Sequence, residues 1–221
     1  MKVKGILPAL VLSGVTALRG GAMADVIAVN GDTTLEGGWG LFQQVCPHAP
    51  LEVLVSDAAV YQDIVSIPSS LGDVALDPVH SVREVGSGWA TWSHDYTGQL
   101  FFVILDQATY TMPPGTGAFD AYAEPGPFMW ITFKITAYAS DGTSATIEKE
   151  VHGDHGASHF GFYTTGGAEL TTVIVDVLGQ YSWAIGELRL APVSCPGDTT
   201  GDGVVDVLDL LDVLAAWGSR A

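Results

Sequence analysis

Hydrophobic and polar residues alternate along residues 130–138, and this pattern constrains the fold more than any other part of the sequence. The odd-numbered positions from 131 to 137 are Ile, Phe, Ile and Ala, and the positions between them are Thr, Lys and Thr. A period of two is typical of a half-buried β-strand. Asp141-Gly142, a favoured turn dipeptide, separates this segment from residues 145–151, where the alternation returns. The sequence therefore predicts a β-hairpin.

The rest of the body also predicts strands. Residues 100–105 are apolar on both faces, which is typical of a central strand covered on each side. Further strands are expected at 52–56, 171–177 and 187–190, separated by segments rich in Gly and Pro. Because we find no long amphipathic helix here, residues 25–193 are predicted to form an all-β sandwich of jelly-roll type.

The N-terminus has the features of a secretory signal peptide. Lys2 and Lys4 precede a short apolar stretch, and Ala22-Met23-Ala24 offers a cleavage site, so we expect residues 1–24 to be removed. The mature chain is predicted to be secreted or held at the cell surface without inserting into a membrane. Losing Arg19 as well would raise the excess of acidic over basic residues from 17 to 20. Such a charge excludes nucleic acid and anionic lipid as partners.

Two cysteines, Cys46 and Cys195, lie at opposite ends of the body. In an oxidising compartment these two cysteines can form one disulfide, which would close a large loop and stabilise the fold. Two unpaired thiols are the alternative, because spacing alone does not establish proximity.

The sharpest motif lies near the C-terminus, at residues 198–209. An EF-hand-type loop presents oxygen ligands at positions 1, 3, 5, 7, 9 and 12 and has Gly at position 6. Gly203 occupies the glycine position here. The predicted Ca²⁺ ligands are Asp198, Thr200, Asp202, the backbone carbonyl of Val204, Asp206 and Asp209.

A helix with one apolar stripe is predicted to follow this loop. The stripe contains Leu210, Leu211, Leu214 and Trp217. The loop and helix, preceded by Cys-Pro-Gly-Asp at 195–198, resemble one repeat of a type I dockerin, as found in the single-repeat tails of exported bacterial proteins. The resemblance implies that residues 194–221 form a calcium-binding tail and that the stripe contacts a cohesin-like or cell-surface protein. Cellulosomal dockerins pair two such repeats, whereas this chain has one.

Three histidines at residues 152, 155 and 159, with Asp154 among them, form the most enzyme-like cluster of the sequence. Imidazoles and a carboxylate are suitable ligands for zinc. Because Gly153 and Gly156 interrupt the cluster, a loop with solvated histidines is the favoured interpretation.

No catalytic residues are assigned from the sequence. A glycosidase needs two facing carboxylates, and the sequence does not indicate which glutamates converge. Trp89 and Trp92, in a segment rich in Gly and Ser, are candidates for stacking on a glycan, although most tryptophans of a sandwich fill its core. The predicted function is a non-catalytic attachment or glycan-binding protein. A secreted glycoside hydrolase and a structural surface protein are the alternatives.

Overall fold

The computed structural model describes residues 25–30, 37–48, 50–194 and 207–218. Two helices, α1 (Gly37–Val45) and α2 (Val207–Gly218), lie before and after most of the strands. Neither is long and apolar enough to cross a bilayer. The strands are β1 (Val26–Val29), β2 (Glu52–Val53), β3 (Asp63–Ile67), β4 (Val74–Val85), β5 (Gly88–Trp89), β6 (Gln99–Val103), β7 (Gln107–Thr111), β8 (Thr116–Pro125), β9 (Trp130–Ala139), β10 (Ser144–His152), β11 (Ser158–Thr164), β12 (Leu170–Val177) and β13 (Trp183–Pro192).

The strands form one folded sheet in the order β1-β11-β8-β13-β6-β4-β7-β12-β9-β10, and β2, β3 and β5 pair at its sides. The sheet turns back on itself within β4. Ala75–Asp77 of this strand pairs with β7, whereas Ser81–Arg83 pairs with β6. Pro78, which has no N–H to donate, lies between these two pairings.

Two layers result, and their facing side chains form the core. Phe133 of β9 meets Phe160 of β11 at 6.1 Å and Trp183 of β13 at 5.9 Å between ring centroids. Tyr110 of β7 lies 6.2 Å from Phe119 of β8. All five rings are almost fully buried, and burial of side chains of this size contributes about 1.5–3 kcal/mol each. The predicted all-β sandwich is therefore confirmed.

The predicted hairpin is β9 and β10, paired from Trp130 opposite His152 to Tyr138 opposite Ser144. The apolar face of β9 is buried as expected. The predicted strand at 100–105 is β6, which lies between β13 and β4 but ends at Val103. Ile104 and Leu105 are exposed, which corrects the C-terminal end of the prediction. The predicted strand at 52–56 is shortened to β2, Glu52–Val53.

Candidate functional site

Trp89 lies at the edge of an open groove, half-buried, at the end of β5. Its indole N–H donates a hydrogen bond of 2.7 Å to Glu124 Oε2, and the Thr91 hydroxyl donates one of 2.7 Å to Glu124 Oε1. Glu124 is fully buried beneath these two residues. Both carboxylate oxygens therefore fix the segment that carries Trp89, and the orientation of the indole is determined before any ligand binds.

Burial raises the pKa of Glu124 to about 7, although the hydrogen bonds from Trp89 and Thr91 act in the opposite direction. Among the residues that the structure describes, no cationic side chain forms an ion pair with this carboxylate. A buried carboxyl without a nearby cation takes up a proton more readily, because desolvation disfavours its charged form.

The groove beside Trp89 has a volume of about 300 Å³. Phe102 and Phe128 supply two further aromatic walls, and the Phe128 side chain is 63% exposed. Gly126 and Gly153 lie along the floor, where a Cβ on Gly153 would collide with the carbonyl oxygens of Pro125 and Pro127. The groove therefore presents both aromatic side chains and polar backbone groups to a molecule that enters it.

A second groove of about 320 Å³ adjoins the first, and Phe102 lines both. The exposed side chains of Val79, Ile104 and Leu105 form much of its wall. Arg83 lies over the ring of Phe102, with its guanidinium carbon 5.0 Å from the ring centroid. The two grooves share Phe102, and both are open to solvent.

Trp92, the other tryptophan predicted to bind a ligand, lies in a different environment. Its indole N–H donates to Glu187 Oε1 at 2.9 Å, and the ring packs near Gly186, where an added Cβ would lie 3.1 Å from it. Trp92 lines neither groove. The structure therefore separates the two predicted residues and brings only Trp89 into an open groove.

Beneath Trp92 lies a buried ionic cluster formed by β8, β11 and β13. Arg189 donates to Glu187 Oε2 at 3.1 Å and to Asp120 Oδ2 at 2.9 Å. His159 Nε2 lies 2.8 Å from the same Asp120 oxygen, and His94 Nε2 lies 2.9 Å from the Glu187 carboxylate. The guanidinium of Arg189 thus lies between two buried carboxylates and partly offsets their charge, as buried charges require.

The three clustered histidines do not share one site. His159 is 1% exposed and belongs to the ionic cluster. His152, the last residue of β10, and His155, in the turn that follows, both contact Asp154. A turn around Gly153 and Gly156 is present as expected, but of the three histidines it contains only His155.

Most of the predicted calcium loop lies outside the described residues, as do the signal peptide and Cys195. Residues 198–206 are among them, and nothing is described of the Asp209 or Trp217 side chains. Helix α2 begins at Val207, and its Leu210, Leu211 and Leu214 side chains are exposed. The calcium and partner-binding assignments therefore stay predictions. The disulfide also stays a prediction. The N–H of Ser194, the residue before Cys195, donates a hydrogen bond of 2.7 Å to Nδ1 of His48, which lies two residues after Cys46.

Sequence reasoning missed Phe102, Phe128 and Glu124. Phe102 belongs to an apolar run that predicts a covered strand, and Phe128 follows a Pro-Gly-Pro turn. Glu124 is one of several glutamates without a distinguishing neighbour in the sequence. The segment rich in Gly and Pro around Phe128 was the one available signal, since exposed loops often carry binding residues.

No protein-family model matches the sequence, and none of the curated proteins compared with it matches either. Among solved structures, the chain is similar to the xylan-binding domain of family CBM22, at 17% identity and a TM-score of 0.34 over 64% of this chain and 99% of that one. It is similar to TmCBM61 in complex with β-1,4-galactotriose, at 10% identity and a TM-score of 0.35 over 69% and 94% of the two chains.

A third similarity is to the CBM22-1 and GH10 modules of the Clostridium thermocellum endo-1,4-β-D-xylanase 10B, in complex with xylohexaose. The identity is 10% and the TM-score 0.36, over 52% of this chain and a quarter of the xylanase chain. TM-scores and identities this low carry no conclusion about the ligand of this protein.

Proposed function

We propose that this chain is a secreted, non-catalytic glycan-binding protein whose β-sandwich binds a polysaccharide in the groove lined by Trp89, Phe102 and Phe128. The observation that carries the proposal is the Trp89 indole, fixed by a buried glutamate at the edge of an open groove. The apolar faces of sugar rings pack against flat aromatic side chains of this kind. Fixing the ring in advance lowers the entropy cost of binding.

The polar groups of the groove complement sugar hydroxyls. Ser182 and Thr91 line it, together with the backbone at Gly88, Gly126 and Gly153. Because the second groove continues from Phe102, a chain of several sugar units fits this surface better than a single terminal sugar. The excess of acidic residues favours a neutral glycan over an acidic one.

The C-terminal tail is proposed to attach the protein. Residues 198–209 would bind Ca²⁺, and the apolar stripe of α2 would contact a cohesin-like or cell-surface protein. The match of the loop to an EF-hand-type pattern supports this assignment, as does the exposure of Leu210, Leu211 and Leu214. Asp202→Ala is expected to lower calcium affinity and to increase proteolysis of the tail. Unchanged calcium affinity and proteolysis would contradict the assignment.

The binding proposal is tested with insoluble and soluble polysaccharides in the presence of calcium, scoring both retention of the protein and release of sugar. Trp89→Ala and Phe128→Ala are each expected to weaken retention about tenfold or more, as loss of a central aromatic contact does. Tyr138→Ala is the matched control, because Tyr138 is an exposed aromatic residue of β9 that lines neither groove. Equal losses in all three variants, or no retention by the wild-type chain, would contradict the proposal.

One observation favours a second candidate, a glycoside hydrolase. A carboxyl with a pKa of about 7, as in Glu124, has the acidity of a general acid at neutral pH. Hydrolysis also requires a second carboxylate about 5–10 Å away. Sugar release by the wild-type chain would replace the non-catalytic proposal, and its loss in Glu124→Gln with polysaccharide retention unchanged would assign the general acid to Glu124.

A further inference from the structure

We propose that His152, Asp154 and His155 form a binding site for a divalent transition-metal ion, with zinc as the reference ion. The site lies where β10 ends at His152 and the turn to β11 begins. It is independent of the calcium loop in the tail and does not rest on the proposed glycan binding.

The three side chains already converge. One ligand atom from each, an imidazole nitrogen or a carboxylate oxygen, lies within 4.8 Å of the other two. His155 Nε2 is 3.3 Å from Asp154 Oδ1, and His152 Nδ1 contacts the same oxygen. Zinc binds nitrogen and carboxylate oxygen at about 2.0–2.2 Å, so its ligand atoms lie roughly 3–3.5 Å apart. The 3.3 Å between His155 Nε2 and Asp154 Oδ1 already falls within that range.

The two imidazoles are held side by side. Their ring centroids are 4.1 Å apart with an interplanar angle of 21°, so both rings present an edge nitrogen toward Asp154. The indole of Trp130, opposite His152 in the hairpin, packs edge-on against both rings at 5.1 and 5.7 Å. This contact supports the ligands from one side.

The backbone of the turn is also fixed. Gly153 fits closely against the carbonyl oxygens of Pro125 and Pro127, and the N–H of His155 donates to the carbonyl of His152 at 3.3 Å. The side chains of Asp154 and His155 are exposed, which gives an ion direct access from solvent. Ligands on a braced turn are better positioned for a metal than ligands on a loose loop.

The ligand set determines the class of ion. Imidazole nitrogens favour zinc, copper and nickel, whereas calcium and magnesium prefer sites made of oxygen only. Three protein ligands leave at least one coordination position for water or another small ligand, as in open rather than closed zinc sites. His159, the third histidine of the sequence cluster, is not part of this set because it is buried against Asp120.

The first test measures zinc binding to the full chain by calorimetry in saturating calcium, which occupies the tail. One zinc ion per chain is expected. His155→Ala and Asp154→Asn are each expected to lower the affinity at least tenfold, and both positions are exposed, so folding is preserved. Asp141→Asn is the matched control: Asp141 is an exposed aspartate in another turn, with its carboxylate accepting bonds from Thr143.

A second test locates the ion by its neighbour. Cu²⁺ at this site is expected to quench the fluorescence of Trp130, and Trp130→Phe is expected to remove that quenching while zinc still binds. Three results would overturn the proposal: no zinc bound in saturating calcium, unchanged affinity in Asp154→Asn, or zinc binding that is lost in Asp202→Ala instead. Quenching that persists fully in Trp130→Phe would place the copper elsewhere and would also overturn it.

Discussion

The two tryptophans at positions 89 and 92 form the same bond in two different regions. Each donates its indole N–H to a glutamate, at 2.7 Å to Glu124 and at 2.9 Å to Glu187. Near Glu187 lie Arg189 and His94, and the ring of Trp92 packs near Gly186. Near Glu124 the described residues supply neutral donors only, and the ring of Trp89 lines an open groove.

The difference between these regions is the position of the cations. A guanidinium beneath Trp92 joins two carboxylates into one buried cluster, and its removal would leave both carboxylates buried without that cation. Glu124 has no such partner, and the pKa of its carboxyl rises to about 7. The same hydrogen bond therefore fixes the Trp89 indole at the edge of an open groove, which we propose to be the glycan-binding surface, and covers an ionic cluster at Trp92.

The largest expected effect is at the ionic cluster. Arg189→Met would leave Asp120 and Glu187 buried without their shared guanidinium, and the free energy of unfolding is expected to fall by about 3–5 kcal/mol. Urea denaturation measures this loss. Lys134→Met, on the exposed face of β9, is the control and should change stability by about 0.5 kcal/mol or less. A loss below about 1 kcal/mol for Arg189→Met would show that the cluster does not depend on this cation.

A pH-dependent effect is expected next, at Glu124. Its pKa is raised from 4.5 to about 7 in the folded state, so its contribution to stability is full below pH 4.5 and is lost as pH rises through 7. Glu124→Gln removes this titration. Relative to wild type, the variant should gain about 2–3 kcal/mol of stability between pH 4.5 and pH 8.

The measurement is the difference between variant and wild-type unfolding free energies across that range. Burial lowers the pKa of His80 to about 4, so this residue makes both proteins less stable as pH falls below 6.5. Because His80 acts equally on both proteins, its contribution cancels in the difference. A flat difference curve would contradict the raised pKa of Glu124.

The smallest effect on stability is expected when the two indole N–H groups are removed one at a time. Trp92→Phe removes a donor from the buried Glu187 and should cost about 1–3 kcal/mol. Trp89→Phe should cost less than about 1 kcal/mol at pH 6, because Glu124, with a pKa of about 7, is already mostly protonated there, and a neutral carboxyl loses less than a buried carboxylate when a donor is removed. Urea denaturation of both variants at pH 6 tests this comparison. Equal losses would mean that the two regions do not differ as proposed.

The sequence predicted the hairpin of β9 and β10 well, because one face of each strand is exposed and the alternation is visible. It did not reveal β8, in which all ten residues are buried. One face of β8 carries Phe119 and Ala121 toward the core, but the other carries Asp120 and Glu124 into buried polar contacts. Buried polar residues remove the link between hydrophobicity and burial on which the pattern depends.

The candidate site was only partly predictable for a related reason. Trp89 stood out because its segment is rich in Gly and Ser. Its position beside Phe102 and Phe128 depends on strand pairings between distant segments, such as β4 with β6 and β6 with β13. The division of the histidine cluster depends on β8 and β11, which place His159 on the buried face. No local signal in the sequence specifies these pairings.

The glycine floor of the groove limits how this protein can change during evolution. A side chain at Gly153 would meet the carbonyl oxygens of Pro125 and Pro127, and one at Gly126 would lie 2.8 Å from the Ser182 hydroxyl. A side chain at Gly153 is therefore incompatible with this backbone, and one at Gly126 requires Ser182 to shift. Phe128 on the rim is largely exposed and free of this constraint. If the groove binds a glycan as we propose, substitutions that alter its ligand preference are therefore expected at Phe128 and the other exposed side chains rather than at these two glycines.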